Sequence, residues 1–317
     1  MADMKIAFEE MLARRKGASP LPTAVVHPCS EDALAGAVDA ARAGLIDPVF
    51  VGPEEQIAEV AAKAKLDVSS YKKVATADPL ESAAVAANLA GGGKVGALMK
   101  GSLHTDQYMH AIVQKESRLR TNRLLSHCFL IAAPAYSRHI IISDAAVNIA
   151  PDLDQKRDII QNAIILARAL GLAQPKVAIL AAVETVNSKM PATLDAAALA
   201  KMADRRQIVG AAVDGPLDLD IAVDEEAARV KGVESPVAGK ADILIAPNIE
   251  AGNMMYKELA FMAGAQVAGL VMGARVPVIL TSRADTPQAR LFSCGLAVLL
   301  SEAVAKDPSL LHPVTSE

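Results

Sequence analysis

Aromatic side chains are scarce in this chain of 317 residues: tryptophan is absent, with four tyrosines and five phenylalanines. That argues against an aromatic-rich binding surface and leaves the interior to aliphatic helix-on-sheet packing. Cysteine is equally sparse. Cys29, Cys128 and Cys294 stand far apart, odd in number and without CxxC spacing, which excludes a disulfide framework or zinc knuckle and predicts a reducing, cytoplasmic setting. A basic excess is missing too: 32 Lys and Arg against 36 Asp and Glu give a net charge of −4, so there is no broad positive field for nucleic acid. No uncharged run reaches about 18 residues, so no membrane span is expected. The opening segment MADMKIAFEEMLARRKG has no apolar core of a secretory signal. HExxH, GxSxG and paired cysteine ligands are all absent. His104 and His110 lie about 240° apart on a helix and cannot share a metal on one face.

What is present is an aliphatic chain long enough for two lobes of roughly 150 residues each, with 52% hydrophobic and 21% charged residues. Short apolar runs alternate with helical patterns. Strands are predicted at Thr23–His27, Val49–Gly52, Val95–Met99, His139–Ser143, Val177–Ala182, Ile208–Val213, Ile243–Ala246 and Val276–Leu280. Between them, Ser30 is placed to cap a helix carrying Leu34, Val38 and Ala41 on one side. Further helices are predicted from near Thr105, from Asp154 to Leu170 with Gly171 as its stop, and from Asn253 to Met272. Most strand runs are apolar without alternation, as expected for strands covered on both faces. The pattern predicts α/β/α layering around mainly parallel sheets.

Open parallel sheets gather ligands beyond the carboxyl ends of their strands, which directs attention to polar segments after apolar runs. In Pro277-Val-Ile-Leu-Thr-Ser-Arg-Ala-Asp-Thr-Pro287, strand residues end at Leu280. Ser282, Arg283, Asp285 and Thr286 follow, with Thr286 fitting an N-cap and Pro287 the first helical position. A helix start beside an arginine suits a dianion; a capped surface turn is the plain alternative. Lys100-Gly101 also follows a strand, and the lysine could meet a phosphate or solvent. Gly91-Gly-Gly-Lys94 lacks the phosphate-loop spacing and precedes a strand, so it is rejected. Asp144 and Asn148 follow a strand and could orient a ligand, whereas Asp152 fits cap duty. Of Arg118, Arg120 and Arg123, one could face a cleft. His127 and His139 read as structural, and Cys294 as helix packing.

Five segments then stand in order: Asp144-Ala-Ala-Val-Asn148, Val213 to Asp220, Ser235 to Asp242, Ala246-Pro-Asn-Ile-Glu-Ala-Gly-Asn-Met-Met-Tyr-Lys257, and Pro277 to Arg283. Together they resemble the phosphate acetyltransferase and phosphate butyryltransferase family, and Lys100-Gly101 and Arg123-Leu-Leu-Ser126 resemble further family segments. The resemblance implies reversible acyl transfer, in which acyl-CoA and phosphate give acyl phosphate and CoA. It further implies an interlobe cleft, a homodimer, no bound cofactor or metal, and coenzyme A as a substrate. The lobes are expected as 1–142 with about 273–317, and 143–272. Ser282 and Arg283 match the motif's serine and arginine. The arginine would bind phosphate and offset charge at the carbonyl, the serine would hydrogen-bond the reacting groups, and Arg123 would be a second phosphate or CoA contact. Lys100, Ser126, Asp144, Asn148, Asn253, Lys257 and Thr286 complete the expected substrate-binding set. One departure stands out: the family's acetyl branch has its proposed base several residues beyond Ser-Arg, whereas Asp285 is the only acid in that stretch here. The segment looks closer to the butyryl-type branch. Two rivals remain at this level: a nicotinamide-dependent dehydrogenase of similar two-lobed architecture, and a non-catalytic CoA- or phosphate-binding homologue.

Overall fold

The computed structural model describes residues 19–282 and 285–312. They form two compact units, one of 19–123 with 268–302 and one of 124–267 with 303–312.

The first unit begins with β1 (Leu21–Val26), α1 (Glu31–Arg42), β2 (Ile46–Gly52), α2 (Glu54–Lys63), β3 (Lys72–Ala75), α3 (Pro79–Gly91), β4 (Ala97–Lys100) and α4 (Thr105–Val113). The Ser30 hydroxyl accepts from the Ala33 N–H at 3.4 Å, and Glu31 and Asp32 oppose the positive helix end. Leu34, Ala37 and Val38 form the buried stripe of α1. The spacing of apolar residues therefore places this helix as expected.

The second unit carries β5 (Ser126–Ala132), β6 (Ile140–Ser143), α5 (Leu153–Ala169), β7 (Lys176–Leu180), α6 (Pro191–Asp204), β8 (Ala212–Leu217), α7 (Leu219–Val223), α8 (Glu225–Val230), β9 (Ile243–Ile245) and α9 (Ile249–Lys257). Its strands run in the order β5-β6-β9-β7-β8, parallel except for the β5–β6 pair. Asp152 caps α5, accepting from the Gln155 N–H at 2.9 Å. The chain returns to the first unit through β10 (Gln266–Met272), then adds β11 (Val278–Ile279) and α10 (Pro287–Lys306). Thr286 caps α10, its hydroxyl accepting from the Ala289 N–H at 3.1 Å. Among the described residues α10 alone is long and apolar enough to cross a membrane. Its most apolar stretch is 56% buried, as in a core helix.

Three expectations change. The single helix expected over Asn253–Met272 stops at Lys257, passes through a π turn at Glu258–Met262, and gives way to β10. Gly264 adopts a φ of +63° between them, a conformation that suits glycine and interrupts a helix. The strand expected at Ile208–Val213 lies later, at Ala212–Leu217. The boundary expected at 142/143 falls at 123/124, because β5 pairs with β6 and β6 with β9. Residues 303–312 likewise group with the second unit.

In the first unit the strand order is β3-β2-β1-β4-β11-β10. β1 pairs in parallel with both β2 and β4, β4 with β11, while β10 and β11 are antiparallel. The chain winds outward from β1 to β3 and then returns to place β4 on the other side. The reversal leaves a crevice beyond the carboxyl ends of β1 and β4, the place where such sheets bind ligands.

Candidate active site

The crevice is built by backbone contacts first. At the end of β1, His27 has a φ of +53°, which is unusual for a residue with a side chain. Its N–H donates to Val51 O at 2.7 Å, and its carbonyl accepts from the N–H groups of Cys29 (2.8 Å) and Ser102 (2.9 Å) and from the Ser102 hydroxyl at 2.8 Å. Gly101 closes the other side, its N–H donating to Val26 O at 2.9 Å. A Cβ at Gly101 would lie 2.2 Å from Val26 O and 2.5 Å from His27 O. Only glycine permits that approach.

The His27 ring is buried and meets Ser82 Oγ through Nδ1 at 3.3 Å. Ser82 gives its one proton to Asp78 O at 2.7 Å, so its oxygen accepts from His27, and Nδ1 carries hydrogen. Burial lowers the His27 pKa, with Asp78 opposing more weakly. A depressed histidine means the unfolded chain binds more protons, so stability is complete above the ordinary value of about 6.5 and is lost as pH falls toward the folded value. Asparagine tolerates the left-handed backbone. His27→Asn is therefore expected to lose less stability than the wild type between neutral and mildly acidic pH, measured by urea unfolding; equal losses would remove His27 from that slope.

Above this floor lies a cavity of about 300 Å³ whose lining includes Ser30, Lys100, Ser102, Ser282 and Arg290. Lys100 and Arg290 are 8% and 7% exposed. Asp32 supplies the lining's one carboxylate, and it is exposed. Side chains of Ser30, Lys100, Ser282 and Arg290 give the lining groups of a kind that suits phosphate-like oxygens.

The predicted residues separate into groups. Lys100 and Ser282 line this cavity. Asp285 holds the loop, its carboxylate accepting from the Ser282 N–H at 2.6 Å, and its own N–H donates to Ser282 O at 3.2 Å. Some of the amides at and before the start of α10 are already used. Pro287 has no N–H, the Ala289 N–H is given to Thr286, and the Ser282 N–H to Asp285. Arg283 lies outside the described residues. Arg123 is half-buried at the end of its segment, its Nη1 3.3 Å from Asn122 Oδ1.

The second unit holds the others. Asp144 is 3% exposed. Its carboxylate accepts from the N–H groups of His127, Ala146, Val147 and Asn148 and from the Asn148 amide. Asn148 also donates to Leu125 O at 2.9 Å, and Asn253 to Ala145 O at 3.0 Å. These three side chains organise a turn. Ser126 is fully buried, its hydroxyl accepting from Asn162 at 2.9 Å. Lys257 is exposed in the last turn of α9.

Sequence reading missed Arg290 and Ser102. The cue for Arg290 was a cation in the first turn of a helix that has no acid there, against the helix dipole. No thiol is poised for covalent chemistry. Burial raises Cys29 to about 11 and Cys294 to about 12, so both are neutral near pH 7. Among the described residues no three His, Cys, Asp or Glu side chains form a metal cluster.

A doubly wound sheet with a cationic cavity at its switch point defines an α/β enzyme that acts on a phosphate-bearing substrate. Residues 27–297 match the family described as phosphate acetyl/butaryl transferase. The chain is 50% identical over 292 residues to a phosphate acetyltransferase of Rhizobium meliloti, covering 92% of each. It is 40% identical over 295 residues to a phosphate butyryltransferase of Clostridium acetobutylicum, covering 93% of this chain and 98% of that one. The crystal structure of a branched-chain phosphotransacylase from Enterococcus faecalis V583 matches with a TM-score of 0.79 at 30% identity, over 89% of this chain and 99% of that one. The chain belongs to the phosphate acetyl/butaryl transferase family, and its reaction is reversible transfer of an acyl group between acyl-CoA and phosphate.

Proposed function

We propose that the enzyme works on short acyl groups, acetyl foremost, by direct transfer in a complex holding both substrates at the β1–β4 crevice. The buried cations of the cavity carry this reading, since they offer a place for the phosphoryl group. Written toward the thioester, the CoA sulfur attacks the carbonyl carbon of the acyl phosphate. The carbon–oxygen bond to phosphate then breaks, the thiol proton passes to a base, and inorganic phosphate leaves. A thiol of pKa about 8.5 is mostly protonated at neutral pH, so a base accelerates the step. Asp285 is the carboxylate assigned to that proton, besides holding the Ser282 loop. Arg283 and Lys100 would neutralise the phosphoryl oxygens, and the Ser282 hydroxyl would hydrogen-bond the reacting group. The neutral thiols of Cys29 and Cys294 favour direct transfer over an acyl-enzyme.

Acetyl is preferred over butyryl because a relative at 50% identity carries the acetyl name, although the Ser282 segment looks closer to the butyryl type. An acyl-CoA series from acetyl to hexanoyl, with phosphate and loss of the thioester as readout, is expected to give its highest kcat/KM at acetyl. Each added methylene should change it by about 10-fold or more. A maximum at butyryl would overturn the acetyl assignment, and no phosphate-dependent loss with any member would overturn the reading. A homodimer is part of the proposal, supported by exposed apolar side chains at Met254, Phe261 and Met262. So is a cytoplasmic location, which the three free thiols support.

A further inference from the structure

The second unit holds a cavity of about 250 Å³ lined by none of the residues assigned to acyl transfer. Its floor is aliphatic. Ile131 of β5, Ile140 of β6 and Leu244 of β9 are buried, and Val223, Met255 and Leu259 add to the apolar lining. The lining carries one charge of each sign, on Arg138 and Glu258. The Arg138 side chain is 28% exposed and Glu258 is exposed, so both charges stand at the mouth. Asp242 fixes Arg138: one carboxylate oxygen accepts from Nη2 and the other from the Lys176 N–H at 2.9 Å. A guanidinium has five N–H donors, so donors are left over for a ligand. Among the described residues no hydrogen bond or ion pair engages the Glu258 carboxylate. The backbone makes special provision for it: α9 widens into a π turn at Glu258–Met262, an uncommon geometry that recurs at functional sites. The Tyr136 hydroxyl donates to Val223 O at 3.2 Å and ties the β5–β6 loop to α7.

We propose that this cavity binds a free aliphatic α-amino acid of the valine, leucine and isoleucine kind, with its carboxylate on Arg138, its ammonium on Glu258 and its side chain on the apolar floor. The proposal stands apart from the acyl-transfer reading. Charge selects the class. A fatty acid would meet Arg138 but be opposed by Glu258, and an alkyl amine would meet the reverse. A zwitterion satisfies both groups, and its carboxylate can take two donors of the planar guanidinium fork. A branched aliphatic side chain matches a floor of Ile and Leu. Size excludes larger ligands: the cavity falls below the roughly 300–1,000 Å³ that drug-sized molecules occupy, so neither a nucleotide nor coenzyme A fits inside it.

The test uses L-leucine and the full chain. Leucine is expected to bind with measurable heat in calorimetry and to raise the unfolding temperature as its concentration rises. Two analogues each lack one charge: isocaproate has no ammonium and isopentylamine no carboxylate. Each should bind about 10- to 100-fold more weakly, the loss of a hydrogen bond to a charged group. Glu258→Gln, at an exposed position, should weaken leucine about 10-fold and leave isocaproate unweakened, a crossing that a merely structural role for Glu258 would not produce. Arg138→Gln should weaken leucine as well, but it strands Asp242, which is 6% exposed. If that variant does not fold, Ala133→Leu takes its place: it fills the lining from a loop, keeps both charges and should abolish leucine binding. No heat and no thermal shift with leucine, isoleucine or valine would overturn the proposal. So would equal binding of leucine and isocaproate, which would give the cavity to simple carboxylic acids. A silent titration of a dimer that Ala133→Leu dissociates would assign the cavity to a second copy, again against the proposal. None of these readouts needs turnover, so they leave the acyl-transfer reading to its own assay.

Discussion

Turnover of an Arg283→Ala variant is expected to fall by about 10²–10³-fold, the usual cost of removing one preorganised donor from developing charge. The argument starts from the chain. Arg283 directly follows Ser282, which lines the cavity, in the segment that matches the family's Ser-Arg pair. As the thiol adds to the carbonyl, charge grows on the carbonyl oxygen and then on the departing phosphate. On the proposed mechanism the Arg283 guanidinium would stabilise the transition state more than the bound substrates, so kcat and kcat/KM should fall together. Arg283→Lys should restore charge without the planar fork and recover only part of the rate. Steady-state kinetics with both substrates varied, beside an unfolding curve matching the wild type, makes the comparison. Near-normal kcat in a folded Arg283→Ala would remove this residue from the mechanism.

Gly101→Ala is expected to be the most damaging single-methyl change in the site. The added carbon would meet two backbone oxygens, Val26 O at 2.2 Å and His27 O at 2.5 Å, and neither can swing aside as a side-chain end could. Relief requires β1 and β4 to part at their carboxyl ends, which breaks the Gly101 N–H to Val26 O bond and the two bonds from Ser102 to His27 O. Overpacking on this scale costs about 3 kcal/mol or more. It also moves Lys100, the residue just before it, so activity should fall with stability. Urea unfolding and the thioester assay on one preparation test both. A variant with wild-type midpoint and rate would show that the loop yields more easily than its contacts imply.

Much of this site could be read from the chain. The Ser30 and Thr286 caps, Pro287 at the first helical position, and Lys100 after a buried strand follow from short-range rules of hydrogen bonding and backbone geometry. Those rules act over a few residues and leave their mark in the order of amino acids. What stayed hidden depends on distant segments meeting. Arg290 meets Lys100 at one cavity and packs near Gly36, neither near it in sequence. The Gln266–Met272 strand was concealed because an apolar run covered on both faces lacks the alternation that separates strand from helix, and it followed directly on a true helix. Asp144 and Asn148 were correctly placed after β6, but their polar atoms serve a turn whose partners include His127 and Leu125 from β5 and its approach.

The broken course of the first unit also sets the order in which its cavity can be assembled. On the ribosome, residues emerge in order and domains fold as units, yet β4 must wait for its neighbour β11 until the whole intervening segment has been made. Ser282, Arg283 and Arg290 arrive later still. A nascent chain can therefore shape the β1–β4 floor early, whereas the wall that carries Thr281, Ser282 and Arg290 joins the cavity only after the whole second-unit segment has been made.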